Sequence, residues 1–351
     1  MLFSLVYGIL AAARATAAPQ GPAASNTVNA PQYAPVPTGA FGPNLTAAGY
    51  RVETFGGGAY MVTDNLYQAL FLVSDEGVIV VDNPPTIGMN MIYAVGNVTD
   101  APITHVVYSH AHADHIGGAF FYGDNITIIA HRDTEEELSL TPDPNRPLPD
   151  VTFTKRHKVC VGNQTLELEY KGPNHQPGNI FIYARSQKVL MLVDVVFPGW
   201  VPFAYLAQSQ NIPGWILAHD QILEYDFDYY VGGHLTRYGV RADVETQKEY
   251  VLDLKNNCEQ ALILSTLPPN ATNPISAFVI VPAVFETNPG NVWASFREYE
   301  DAVARYCEMV TNQKWLTRLG GADVYGFSNA YQMAESLRID YNILGQFAGS
   351  T

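Results

Sequence analysis

The sequence predicts an α+β fold in which two sheets pack face to face between helices, with a helical tail behind them. Two sets of short β-branched and aromatic runs, each followed by helical periodicity, point to it. So does the helical patterning that dominates from Ala242 onward. With 351 residues, 47% of them hydrophobic and 15% charged, the chain can bury a substantial core.

The elements follow in order. Residues 1–17, "MLFSLVYGILAAARATA", combine an apolar run with small residues placed for cleavage after Ala17, the pattern of a secretory signal peptide. Residues 18–45 are rich in Ala, Pro, Gly, Ser and Asn and read as a flexible lead-in. A catalytic domain is expected over residues 46–265 and a helical extension over 266–351. "YRVETF", "AYMV", "ALFLVS" and "GVIVVDNPP" read as strands punctuated by turn residues. A helix is predicted over Thr86–Val95. "ITHVVYSH" and "ITIIAH" are apolar strands running into histidines, with a helix at "TEEELSL". "LELEYK", "NIFIYARS", "VLMLVDVV" and "DYYVGGH" supply the second set of strands. Further helices are predicted over Pro213–Tyr225, Ala242–Leu264, Val292–Gln313 and Asn329–Tyr341.

The net charge of −15, with no basic stripe, excludes a nucleic-acid partner. After the leader no stretch approaches ~18 uninterrupted apolar residues, so no membrane association is expected once the signal is removed. Five N-x-[ST] sequons, at Asn44, Asn97, Asn125, Asn163 and Asn270, agree with a secreted, extracellular glycoprotein. Of three cysteines, Cys258 and Cys307 lie in helical patterns and either pair in an oxidising compartment or stay as buried thiols.

Three of the nine histidines, with an aspartate, crowd into "HAHADH", residues 110–115. If the strand of "THVVYS" continues, His110, His112 and Asp114 project to one side, and His115 comes from the turn into the next helix. "IGG" then lets the chain turn tightly. By chance such a cluster arises in roughly one chain of this histidine content in a few thousand. It offers too many ligands for one tetrahedral ion, which suggests two metals.

This segment resembles the signature of the metallo-β-lactamase superfamily. Four further motifs follow the same pattern: "VIVVDNPP" with Asp82, "GPNHQPGN" with His175, "VLMLVDVVF" with Asp194 and "YYVGGH" with His234. The resemblance implies an αβ/βα sandwich of four layers. It implies that His110, His112 and His175 hold one zinc and Asp114, His115 and His234 a second, with Asp194 shared. Asp82 braces the site rather than binding metal. The expected cofactor is therefore two Zn²⁺ per chain, and the expected chemistry is hydrolysis by a water acidified between them, with Asp114 shuttling a proton.

An aspartate at position 194 is similar to the lactonase and glyoxalase II-like members rather than the true β-lactamases. The expected substrate is a lactone, lactam or related ester of a small hydrophobic metabolite. The insertion "FPGWVPFAYLAQSQNIPGW" follows Asp194, and Trp200, Phe203, Tyr205 and Trp215 within it either line a pocket, pack the later helices or form a homodimer contact. Tyr67, Tyr205 and Tyr238 are candidates for an oxyanion donor, and Arg237 for meeting a substrate carboxylate or a surface acid. His131 reads as a bystander. The rivals are an iron-dependent sulfur dioxygenase, a thioester hydrolase and a non-catalytic binding protein.

Overall fold

A strand covered on both faces needs an apolar residue at nearly every position, and β3 (Gln68–Val73) meets that need by alternation. Leu70 and Leu72 enter the space between two sheets, while Ala69 and Phe71 enter a second core on the other side. In β4 (Val78–Val81), Ile79 and Val81 face inward and Val78 and Val80 outward. The computed structural model describes residues 30–344, so the expected signal peptide and the start of the lead-in lie outside the described residues.

β1 (Arg51–Gly56), β2 (Ala59–Thr63), β3, β4, β5 (Ile103–Val107), β6 (Thr127–His131) and β7 (Val151–Phe153) form one sheet in chain order. The pairings are antiparallel as far as β4 and parallel beyond it. β8 (Arg156–Val161), β9 (Gln164–Glu169), β10 (Phe181–Ala184), β11 (Val189–Met191) and β12 (Tyr229–Val231) form the second sheet, ordered β12-β11-β10-β9-β8. The inner faces meet in one core containing Leu70, Ile79, Val107, Leu166, Ile182, Met191 and Val231. Helices α1 (Met89–Gly96), α2 (Ala113–Ile116) and α3 (Arg132–Leu140) accompany the first sheet. α4 (Ile212–Leu223) and α5 (Arg241–Ser265) cover the second. The result is the four-layer sandwich expected from the motifs.

Three further helices follow: α6 (Ala277–Thr287), α7 (Val292–Trp315) and α8 (Ala322–Ile339). α7 and α8 share a continuous core with β10, β11, α4 and α5, through Trp215, Tyr250, Cys258, Cys307, Trp315 and Met333. The expected boundary at 265/266 is therefore not a boundary in packing: the described residues from Tyr33 onward form one unit. The lead-in is likewise held, not flexible, over its last dozen residues. Ala40 is buried, Gly42 donates its N–H to Thr236 Oγ1 (2.8 Å) and the Arg51 guanidinium bonds the Pro43 carbonyl.

Two helix expectations need correcting. α6, "AFVIVPAVFET", carries no helix expectation, because Val279, Ile280, Val281 and Val284 are β-branched, Pro282 interrupts the pattern and only Glu286 and Thr287 are polar; none of its residues is buried. α8 starts seven residues before the expected Asn329, through Gly326, a poor helix former. A Cβ there would lie 3.0 Å from Glu308 Oε1, so close packing against α7 explains the glycine.

Candidate metal centre

β5 stops at Val107, short of the histidines. The Ser109 N–H, which would extend the strand, instead donates to Asp82 Oδ1 (2.8 Å). Asp82 follows β4, takes a left-handed backbone (φ 63°) and is fully buried. Burial pushes its carboxyl up to about 6. His110 and His112 therefore sit on a loop, not on a strand, and Asp114 and His115 lie inside α2, whose N-cap is His112. This corrects the expectation that one strand end presents His110, His112 and Asp114; a short loop and one helical turn present them. Gly118 allows the close return: a Cβ there would lie 2.7 Å from the Asn83 carbonyl oxygen.

The other ligands come from the second half. His175 is on the loop after β9, and its N–H donates to Asn174 Oδ1 (2.6 Å). Asn179 donates to the same oxygen and to the Val193 carbonyl (2.8 and 2.9 Å), tying that loop to the segment carrying Asp194. Gln176 Oε1 accepts the Ala111 N–H at 3.2 Å, joining it to the first histidine loop. Asp194 follows β11 with φ 63°, the same backbone as Asp82 after β4. His234 follows the glycines beyond β12. A Cβ at Gly233 (φ 87°) would lie 2.6 Å from Val193 Cγ1, so only glycine admits this crossing.

The seven side chains converge as two groups: His110, His112, His175 and Asp194, and Asp114, His115 and His234, with ligand atoms in each within 4.8 Å of one another. Asp194 touches both. Its Oδ2 is 3.2 Å from His175 Nε2 and 3.3 Å from His115 Nε2, and its Oδ1 is 2.8 Å from His234 Nε2. His112 presents Nδ1, 3.0 Å from His175 Nε2. Burial holds His110 well below the ordinary imidazole value and brings His175 down to about 4. Burial opposes protonation of His115 too, but the Asp194 and Asp114 carboxylates outweigh it and push this group up to about 9. Asp194 stays well below the carboxylate range despite its burial, because His115, His234 and His175 surround it. The buried His110 Nε2 has no hydrogen-bond partner. Imidazoles and carboxylates gathered this closely, with a buried His110 Nε2 left unpartnered, fit divalent cations of the Zn²⁺ type.

Of the candidate substrate residues, Tyr67 reaches the site. Its hydroxyl donates to Asp114 Oδ2 at 3.2 Å, and its ring is 4.7 Å from that of His234. Phe203 also borders it, 5.7 Å from the His234 ring, beside Phe197. Tyr205 is 48% exposed on the same segment. Three assignments are corrected. Trp215 is fully buried and donates Nε1–H to the Asp194 carbonyl (3.0 Å), bracing the ligand from behind. Trp200 packs on Gly320 and Phe41 and bonds the Ala40 carbonyl. Tyr238 packs against Phe55 and Tyr229. Aromatic content alone does not say which face a ring turns to. Arg237 is held by Asp243, at 2.6 and 2.9 Å, and His131 caps α3.

Sequence reasoning missed two supports. His219 of α4 and Gln247 of α5 bracket the backbone beyond Asp194: Gln247 bonds both Val195 O and Phe197 N–H, and its amide meets the buried His219. The other is a turn at Tyr205, Leu206, Ala207 and Gln208, all left-handed (φ 58°, 53°, 59° and 55°). L-residues pay roughly 1–2 kcal/mol each for this backbone, and nothing in "AYLAQ" signals it.

A model of the Metallo-beta-lactamase superfamily matches residues 63–234. The 2,4-dinitroanisole O-demethylase subunit alpha of Nocardioides sp. (strain JS1661) is 31% identical over 219 residues, 60% of this chain and 65% of that protein. The chain thus spans a little under two thirds of that relative's length. A solved metallo-beta-lactamase from Pontibacter korlensis aligns with a TM-score of 0.49 and 20% identity, over 57% of this chain and 97% of that one. The DIM-1 metallo-beta-lactamase aligns with a TM-score of 0.49 and 17% identity, over 57% and 95%.

Proposed function

We propose, for a chain whose residues 63–234 belong to the metallo-beta-lactamase superfamily, a hydrolase that holds two Zn²⁺ and opens a lactone, lactam or related ester of a small hydrophobic metabolite. The observation that carries this reading is the sharing of Asp194 between two ligand groups. His110, His112 and His175 would hold one ion and Asp114, His115 and His234 the other. Bound there, Zn²⁺ supplies Lewis acidity and brings the pKa of water to about 7.

The chain's own residues do the rest. Asp114 has 45% of its side chain exposed, so its carboxylate can exchange a proton with solvent and deliver it to a leaving oxygen or nitrogen. Burial and the Asp114 charge push the Tyr67 hydroxyl far up, so it stays protonated and orients Asp114 by donating to Oδ2. Phe197 and Phe203 shield His234 from water and offer an apolar edge to the substrate. Asp114 and Asp194 bring two negative charges against four positive ones, and the surplus favours developing oxyanions.

A second reading draws on the O-demethylase relative. Water could instead displace methanol from an activated aryl methyl ether, leaving a phenol, and the same nucleophile and proton carrier would serve. Metal analysis and a substrate screen test both. Two zincs per chain, and turnover of lactones, lactams or 2,4-dinitroanisole that is lost in His112→Ala, are expected. One iron per chain would favour the sulfur dioxygenase. Equal inertness of wild type and His112→Ala across lactones, lactams, thioesters and the ether would sink the hydrolase reading.

We also propose that the protein works outside the cell. The Cys258–Cys307 disulfide suits an oxidising compartment, and the asparagines of all five sequons are exposed. Protein recovered from the culture medium of a eukaryotic host should lose mass on peptide N-glycosidase treatment. Retention in the cytosol, without glycans, would count against this.

A further inference from the structure

The left-handed turn at 205–208 is flanked by residues that each approach one histidine of the two ligand groups. At its start the Phe203 ring stands 5.7 Å from that of His234. At its end, the Ser209 hydroxyl donates to the Leu206 carbonyl (2.6 Å) and its oxygen lies 3.4 Å from His175 Nδ1. With its proton committed to Leu206, Ser209 Oγ is left as an acceptor, so His175 carries its hydrogen on Nδ1 and turns a bare Nε2 toward His112 and Asp194. The Gln210 N–H donates to the His175 carbonyl (2.8 Å), fixing main chain to main chain. A ligand histidine held through its second nitrogen is oriented for its metal.

None of these four residues is glycine, so the turn needs external support. Leu206 and Ala207 are fully buried. The polar support comes from α8. Asn329, fully buried, accepts the Leu206 N–H at Oδ1 (2.8 Å) and donates from Nδ2 to the Pro202 carbonyl (2.7 Å). Ser328 Oγ accepts the Tyr205 N–H at 3.4 Å. Asn329 lies 95 residues beyond the end of the family match at residue 234.

We propose that Asn329 is a positioning residue of the metal centre: by clamping the left-handed turn at 205–208 it sets Ser209 against His175, which gives the C-terminal helices a role in metal binding. The inference rests on the zinc reading above. It is tested by titrating metal-free, full-length protein with Co²⁺, followed by its visible absorption, and with Zn²⁺ in competition with a chelator.

Asn329→Ala is expected to weaken the site containing His175 by about 10–100-fold and to leave the second equivalent within about threefold of wild type. Gln208→Gly, which relieves strain at an exposed left-handed position, is expected to recover most of that loss in the Asn329→Ala background. Ser209→Ala should reproduce the selective weakening without touching α8. If Asn329→Ala does not fold, the isosteric Asn329→Asp keeps the acceptor for Leu206 and loses the donor to Pro202, and it should show a smaller loss at the same site.

Wild-type affinity at both sites in these variants would overturn the proposal. So would equal weakening of both sites that Gln208→Gly does not rescue, because helix packing alone predicts that pattern. If wild type itself binds no metal, the zinc reading fails first and this inference falls with it.

Discussion

Asn at position 194 is expected to reduce the zinc content from two ions per chain to at most one and to cut hydrolysis by more than ~10²-fold, beyond what loss of an outer partner costs. Asp194→Asn keeps the volume but removes a charge that contacts His175, His115 and His234 together. The same variant carries a pH prediction for the metal-free protein. Pairing with Asp194 and Asp114 pushes His115 up to about 9 against the cost of its burial. The stability this supplies is complete below the ordinary imidazole value of 6.5 and is lost as pH rises through about 9. The depressed Asp194 carboxyl contributes above its ordinary value of 3.8 and fails only in stronger acid. Denaturant unfolding of chelator-stripped wild type should therefore show stability falling between pH 6.5 and 9, and Asp194→Asn should flatten that fall. Parallel profiles for the two proteins would show that the pairing does not govern stability. Zinc uptake should strengthen over the same interval, since the metal competes with the His115 proton.

The second large effect concerns Cys258 and Cys307, which join α5 to α7 across a sequence separation of 49. Closing a loop of that length is worth about 4 kcal/mol by chain entropy. Cys258→Ala/Cys307→Ala should thus lower Tm by roughly 5 °C in a chain of this size. Both positions are fully buried, and alanine brings no polar side-chain atom to them. Calorimetry of oxidised wild type against the double variant checks this, and a difference within ~2 °C would contradict it. Cys258 Sγ also lies 3.5 Å from the carbonyl of Ala330, next to Asn329. Loosening the bridge should therefore reach the metal centre and reduce zinc affinity as well.

Several features were legible in the chain because their signals are local. His110, His112, Asp114 and His115 fall within six residues, and Asp82, Asp194 and His234 each close an apolar strand pattern. The strand alternation of β3 and β4 follows from spacing alone. The seating of the histidines was misread because a distant carboxylate, Asp82, takes the Ser109 N–H that a longer strand would use. Side-chain acceptors compete with strand pairing, and periodicity does not register them. For Trp200, Trp215 and Tyr238 the packing alternative holds over the pocket one, and the chain left both open because an aromatic residue suits a pocket and a core equally well until its neighbours are known.

By itself the sequence determined the ligand types, their division between two β-rich halves and the layered fold, since these depend on residue identity and short-range periodicity. Only the tertiary structure decided how those ligands are held. The left-handed turn, the Asn329 clamp, the Trp215 brace and the merging of the last helices into one core join residues far apart in the chain. Their energies come from burial and from hydrogen bonds between such residues, which no local pattern encodes.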